Sequence, residues 1–128
     1  LNHMSRKEHI IRSYINAYNQ FDIPGMVANL HDNIVFKNIQ DGETNLLLQG
    51  KKEFRQQAEL TKTYFKERQQ NITSVKHSED HTEIEIDYYA VLAADMPNGL
   101  KKGNQLRLTG KSIFKFSDDR IIELTDIS

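Results

Sequence analysis

The sequence predicts an α+β fold: a strongly curved, mainly antiparallel sheet shaped like a half-cone, with three helices packed on its concave face. Three observations carry that prediction. Gln105 to Phe116 places Leu106, Leu108, Gly110, Ser112, Phe114 and Phe116 on one face, against Arg107, Thr109, Lys111 and Lys115. That is the period-two pattern of a half-buried strand. A second such stretch, Arg120 to Ile127, follows the turn Ser117-Asp118-Asp119. The first half of the chain instead carries apolar residues at helical spacing. Helices segregated from consecutive strands define the α+β class.

In chain order, Ser5-Arg6-Lys7-Glu8 reads as a capping box, with the serine hydroxyl and the glutamate satisfying orphan amides. Ile10, Ile11, Tyr14, Ile15 and Tyr18 then make one stripe of a helix over about Ser5 to Gln20. Asp22 caps a short second helix, in whose first turn Pro24 is tolerated. Ile23, Met26, Val27 and Leu30 form its buried side, and Asp32-Asn33 ends it. A strand follows over Ile34 to Ile39, then the turn Asp41-Gly42, then a returning strand over Thr44 to Leu48. Phe54, Ala58, Thr61 and Phe65 mark a third helix from Lys51 to about Lys66. Two strands, Ile72 to His77 and Thr82 to Ala94, turn at Ser78 to His81. In the second, Ile84, Ile86, Tyr88, Ala90 and Leu92 alternate with Glu83, Glu85, Asp87, Tyr89 and Val91. Met96-Pro97-Asn98-Gly99 breaks the pattern before the final pair.

The chain has 128 residues, and 4–128 read as one domain able to bury its own core. Leu1-Asn2-His3, ahead of Met4, reads as a remnant of expression. A formal net charge of -1 gives no reason to expect nucleic acid or an anionic membrane as partner. Without cysteine there is no disulfide, thiol nucleophile or thiolate metal site. No apolar run approaches the ~18 residues of a membrane span. With no signal peptide visible, a cytoplasmic location is expected. No Gly-rich phosphate loop is present and no cofactor is expected. His77 and His81 are separated by a strand turn rather than a helical turn, so no metal site is expected there. His31, at the end of an apolar stripe, reads as a structural histidine.

On the last strand Asp126 shares a face with Ile122 and Leu124, and Ser112 interrupts the neighbouring apolar stripe. Polar groups facing an apolar interior indicate a pocket at the wide end of the cone. Beside Leu124, the Asp126 carboxyl is expected to titrate above its usual range and to serve as a general acid or base. The bland alternative is a solvated or lysine-paired carboxylate. Tyr14, Tyr18, Phe36, Asn38, Phe54, Tyr88, Leu108, Ser112, Phe114 and Leu124 are the expected ligand contacts. Ile113, Ile121, Ile127, Tyr89 and Val91 fall on the outer sheet face. Such an apolar cluster marks an interface, expected to be that of a homodimer.

This order of elements resembles the nuclear transport factor 2-like superfamily, which includes the ketosteroid isomerases and the SnoaL-like polyketide cyclases. The resemblance runs from Tyr14-Ile15-Asn16-Ala17-Tyr18-Asn19 through Asp22-Ile23-Pro24-Gly25-Met26-Val27 to Leu30-His31-Asp32-Asn33-Ile34-Val35-Phe36. It returns at Gly50-Lys51-Lys52-Glu53-Phe54 and at Arg120-Ile121-Ile122-Glu123-Leu124-Thr125-Asp126. It implies a cystatin-like α+β roll. It places Tyr14 where ketosteroid isomerases hold an oxyanion donor. Asn38 stands in place of their aspartate base and Ser112 in place of their second donor. An amide cannot shuttle a proton near neutral pH, so steroid isomerisation is set aside. Asp126 matches the acid/base aspartate of SnoaL-like cyclases, with Thr125 where an aromatic residue is usual. The expected function is binding of a small apolar or aromatic molecule in the conical pocket. The alternatives are an isomerase, cyclase or dehydratase using Asp126, with Tyr14 or Ser112 at the oxyanion, and a dimerising scaffold with a vestigial pocket.

Overall fold

The computed structural model describes residues 3–128. Leu1 and Asn2, part of the stretch read as an expression remnant, lie outside the described residues. The elements are α1 (His3–Asn19), α2 (Ile23–Ala28), β1 (Leu30–Gln40), β2 (Glu43–Gln49), α3 (Lys51–Lys62), β3 (Phe65–His77), β4 (Thr82–Leu92), β5 (Gln105–Ser117) and β6 (Arg120–Ile127). Six strands form one curved, open sheet in the order β2-β1-β6-β5-β4-β3. Only β1 and β6 run parallel; every other neighbouring pair is antiparallel. The fold is α+β, as the sequence predicts.

The helices bury the residues their stripes mark. Ile11, Tyr14 and Ile15 of α1, Ile23, Met26 and Val27 of α2, and Phe54 and Ala58 of α3 meet Ile34, Ile84, Phe114 and Leu124 of the sheet in one core. Asp22 caps α2 by accepting the Gly25 N–H at 3.0 Å. Asp41 and Gly42 both take positive φ, 52° and 80°, the geometry of a two-residue hairpin turn.

Several boundaries differ from the sequence reading. Ser5 lies inside the first turn of α1, and Glu8 reaches Arg12 and His77 rather than a cap. Helix α2 ends at Ala28 with Asn29 as its C-cap, so Leu30 through Asn33 already belong to β1. Helix α3 stops at Lys62, and Phe65 opens β3 seven residues before Ile72. On the outer sheet face one expected residue is missing: Ile121 is fully buried in the core. The β5–β6 register shifts between Lys115 and Phe116, with Glu123 opposite Lys115 and Ile121 opposite Phe116. That extra residue is a bulge, which changes the inward phase of the strand. Ile121 and Leu124 therefore both face the core, although period two would separate them.

Gly110 is required by a close approach rather than by a turn. A Cβ built on it would lie 2.9 Å from the Ile127 carbonyl oxygen. Gly110→Ala must push the end of β6 away, and it is expected to destabilise the protein by about 1–3 kcal/mol. Urea unfolding checks this, and a midpoint equal to that of the parent protein would contradict the packing. Among the described residues, no helix is long and apolar enough to cross a membrane.

Candidate functional site

Directly opposed residues of neighbouring strands project from the same side of a sheet. The register therefore builds the concave face row by row. Phe36, Leu124, Phe114 and Thr82 lie opposite one another across β1, β6, β5 and β4. Leu124, Phe114 and Thr82 are buried, and they form the closed part of the core. The next row toward the end of β6 is Asn38, Asp126, Ser112 and Ile84. Polarity thus enters two residues further along each of three strands.

In that row the Ser112 hydroxyl donates to Asp126 Oδ1 at 2.7 Å. Ser112 itself is fully buried. Protein packed around the Asp126 carboxyl removes the water that would stabilise its charge, while the Ser112 bond acts in the opposite direction. Desolvation is the larger effect, and it raises the carboxyl from 3.8 to about 6. Asn38 donates through Nδ2 to Asn45 Oδ1 of β2 at 2.8 Å, so its amide is oriented by the hairpin.

A second polar group comes from α1, β3 and β4. Tyr18 of α1 and Tyr88 of β4 share a hydrogen bond at 2.8 Å between their hydroxyls. Burial holds both phenols above their usual range, and they stay protonated at physiological pH. Gln70 lies opposite Tyr88 on β3. It is anchored by a reciprocal pair with Asn19, whose Oδ1 accepts from Gln70 N at 2.7 Å and whose Nδ2 donates to Gln70 O at 3.1 Å. Two residues earlier, buried Arg68 donates through Nε to the Tyr18 carbonyl at 2.9 Å. Its guanidinium carbon lies 3.7 Å from the centre of the Tyr18 ring, a stacked arrangement suited to arginine. Tyr18 is thereby held from its backbone and from its ring face.

Between the two groups lies a cavity of about 190 Å³. Tyr18, Tyr88, Gln70, Asn38, Ser112 and Asp126 border it, and Ile86, Leu108 and Ile127 add apolar wall. An engineered apolar cavity of about 150 Å³ takes up benzene. This one has room for a single substituted ring. The Tyr18–Tyr88 hydroxyl pair and the Asp126 carboxyl, raised to about 6 by burial, both border it.

Of the residues expected at the site, Tyr18, Asn38, Tyr88, Leu108, Ser112 and Asp126 border this cavity. Tyr14, Phe36, Phe54, Phe114 and Leu124 do not. Tyr14 packs its ring 6.4 Å from Phe54 and 6.2 Å from Phe114, in the core. Its hydroxyl is held protonated chiefly by burial, then by the charge of Asp126. Phe54, Phe114 and Leu124 are core residues, and Phe36 stacks edge-on against Phe54 at 5.6 Å. Gln70 and Gly110 border the cavity and were not picked out as ligand contacts from the sequence; Ile127, expected on the outer sheet face, also borders it at the end of β6. Extending the parity of Ile72 backwards along β3 points to Gln70. His77 bonds Thr82 and Glu8, and His81 bonds Asp80. Among the described residues, no three metal-ligating side chains come together.

The model of the SnoaL-like domain family matches residues 11–124. No match is found among curated proteins. A candidate polyketide cyclase from Xanthomonas campestris pv. campestris superposes with a TM-score of 0.80 at 19% identity, over 97% of this chain and 90% of its own. A candidate SnoaL-like polyketide cyclase from Jannaschia gives 0.81 at 8% identity, over 95% and 84%. A cystatin-fold protein from Novosphingobium aromaticivorans gives 0.73 at 14% identity, over 95% and 97%. At such identities the likeness carries the fold alone.

Proposed function

Because the chain belongs to the SnoaL-like domain family, we propose that it binds a small, one-ring aromatic molecule bearing a carbonyl or hydroxyl group. The ligand sits between the Tyr18–Tyr88 pair and the Ser112–Asp126 pair. The observation that supports this reading is that a hydrogen-bonded hydroxyl pair, Tyr18–Tyr88, and a second hydrogen-bonded pair, Ser112–Asp126, border one cavity together with the apolar side chains of Ile86, Leu108 and Ile127. A mostly apolar pocket with a few convergent polar groups is the usual form of a small-molecule site.

The test uses acetophenone and phenol as probes, added at millimolar concentration to isotopically labelled protein. Amide signals of Ile86, Tyr88 and Ser112 are expected to shift together and to saturate. Tyr88→Trp, which fills the cavity, is expected to abolish the shifts. Saturable shifts absent for both probes would sink the reading.

A second reading is favoured by one observation, the carboxyl of Asp126 raised to about 6. A group titrating there can both take and return a proton near neutral pH. In this reading the Asp126 carboxylate accepts a proton from the carbon beside a ligand carbonyl. The Tyr18–Tyr88 pair hydrogen-bonds the enolate oxygen that forms, and Asp126 returns the proton to carbon. Deuterium uptake from D2O into the methyl group of acetophenone is the readout. It is expected to follow an apparent pKa of about 6 and to fall by roughly 10²–10⁴ in Asp126→Asn. Uptake unchanged in that variant would leave binding alone.

Self-association completes the proposal. Tyr89, Val91 and Ile113 remain half-buried on the outer sheet face, and a homodimer packed there would cover them. Light scattering at high micromolar concentration is expected to give twice the chain mass of 14.9 kDa. The mass of a single chain would overturn this.

A further inference from the structure

Arg68 is 5% exposed, and its charge has no carboxylate to answer it. The ion pairs among the described residues do not include it. Glu67, its neighbour in the chain, is exposed and belongs to the other face of β3. The Asp22 carboxylate is engaged as the cap of α2. Directly across on β4 stands Ala90. What Arg68 does meet is soft. Its Nε donates to the Tyr18 carbonyl, at the end of α1. Its guanidinium carbon lies 3.7, 4.5 and 6.0 Å from the centres of the Tyr18, Phe21 and Phe65 rings. Its Nη2 is buried with no hydrogen-bond partner. A buried charge is ordinarily paired with an opposite one. Here a helix end and ring faces offset it only in part.

That charge bears on the tyrosine pair. Burial is the largest influence on the Tyr18 and Tyr88 phenols and disfavours their ionisation, while Arg68 works in the opposite direction on both. The Asp126 carboxylate also disfavours it, but on each of these two phenols Arg68 outweighs Asp126. On Tyr14, deeper in the core, Asp126 is the stronger of the two. Arg68 does not offset the carboxylate itself, whose titration is set by burial and by Ser112. Gln70, the next inward residue of β3, also hydrogen-bonds the Tyr18 hydroxyl. Two hydroxyls carry two protons. One lies between Tyr18 and Tyr88, and the other remains to donate. A donor backed by a buried cation gains most from an acceptor that carries negative charge.

We propose that Arg68 is a positioning residue which, acting through Tyr18, makes the tyrosine pair hold a ligand oxygen as an oxyanion. The ligand class is then an acidic phenol or enol, bound in its ionised form. The inference rests on the cavity accepting a ring beside the pair, and it names the charge state of that ring's oxygen.

The probe is 4-nitrophenol, whose neutral and ionised forms absorb at different wavelengths, so the bound form is read directly. The Asp126 charge opposes an anion, and Asp126→Asn removes it. In that variant the bound probe is expected to ionise at least about one pH unit below the free probe, a tenfold preference for the phenolate. Adding Arg68→Met is expected to erase the preference, and Arg68→Lys in its place to retain it. An arginine that only packs would change the affinities for phenol and phenolate together. A bound probe that ionises at or above the free value in Asp126→Asn overturns the inference, whatever Arg68→Met does to folding. A preference left unchanged by Arg68→Met overturns it too. Saturating shifts of the Tyr88 amide signal report binding itself. Shifts without a preference remove this inference alone, whereas no shift in the parent protein removes the ring-binding reading with it.

Discussion

Asp126→Asn is expected to stabilise the protein at pH 8 by on the order of 3 kcal/mol. The native carboxyl titrates near 6, against 3.8 for the ordinary group, because burial strips its hydration. Below about pH 4 both native and unfolded chains hold the proton, and the group has no effect on stability. As pH rises from about 4 to 6 the unfolded chain releases the proton first. Native stability falls through that window and is flat, and fully reduced, above it. Each pKa step of one is worth about 1.4 kcal/mol, which sets the size of the loss. Asparagine keeps the shape and leaves an amide oxygen to accept from the Ser112 hydroxyl, but cannot ionise. Urea unfolding at pH 3.5 and pH 8 should give equal stabilities for the two proteins at the lower pH and a clear gain for the variant at the higher. A variant less stable at pH 8 would mean that the charge is compensated in the native state. The same substitution is expected to remove any proton transfer, so stability and activity would move in opposite directions, as they do where a site holds a group in an unfavourable state.

Phe114→Ala is expected to cost about 3–5 kcal/mol. Phe114 is fully buried, lies opposite Leu124 and Thr82, and meets the Tyr14 ring edge-on. Lys115→Ala, one residue on, is expected to stay within about 0.5 kcal/mol, since its ion pair with Glu123 at 3.7 Å is exposed. Phe114 stands in the row next to Ser112 and Asp126. The variant is therefore also expected to accept larger rings than the parent protein, read as stronger shifts with a naphthyl than with a phenyl ketone. Thermal unfolding unchanged by Phe114→Ala would contradict the row structure on which the cavity is built.

What could be read from the sequence was what hydrophobic periodicity reports. The three helices, the Asp41-Gly42 hairpin and the β4–β5 alternation were legible because one face of each is apolar and the other is not. The start of β3 was not. Its inward residues there are Arg68 and Gln70, both buried and both polar, so the alternating signal is absent where the strand begins. The inward position of Ile121 was hidden for another reason: a bulge is invisible to a strict period of two. At the site, Asp126 and Ser112 stood out as polar residues on an apolar face, and parity placed them together. Tyr14 and Tyr18 are one helical turn apart on the same stripe. Which of them reaches the cavity depends on how α1 sits against β3 and β4. Packing decides that, with Arg68 drawing Tyr18 to the cavity wall and two phenylalanines enclosing Tyr14.

The parallel join of β1 to β6 has a consequence for synthesis. Asn38 lies beside Asp126, 88 positions later in the chain, and β6 follows every other element in sequence order. At about 5–20 residues per second, β1 leaves the ribosome on the order of ten seconds before its neighbour exists. During that interval the β1–β2 hairpin has no strand joining it to the rest of the sheet, while β3, β4 and β5 can already pair in sequence. The nascent chain is thus two halves awaiting a wedge. Its hazard is a foreign strand taking the place of β6, and chaperone dependence should fall on this interval rather than on the finished protein.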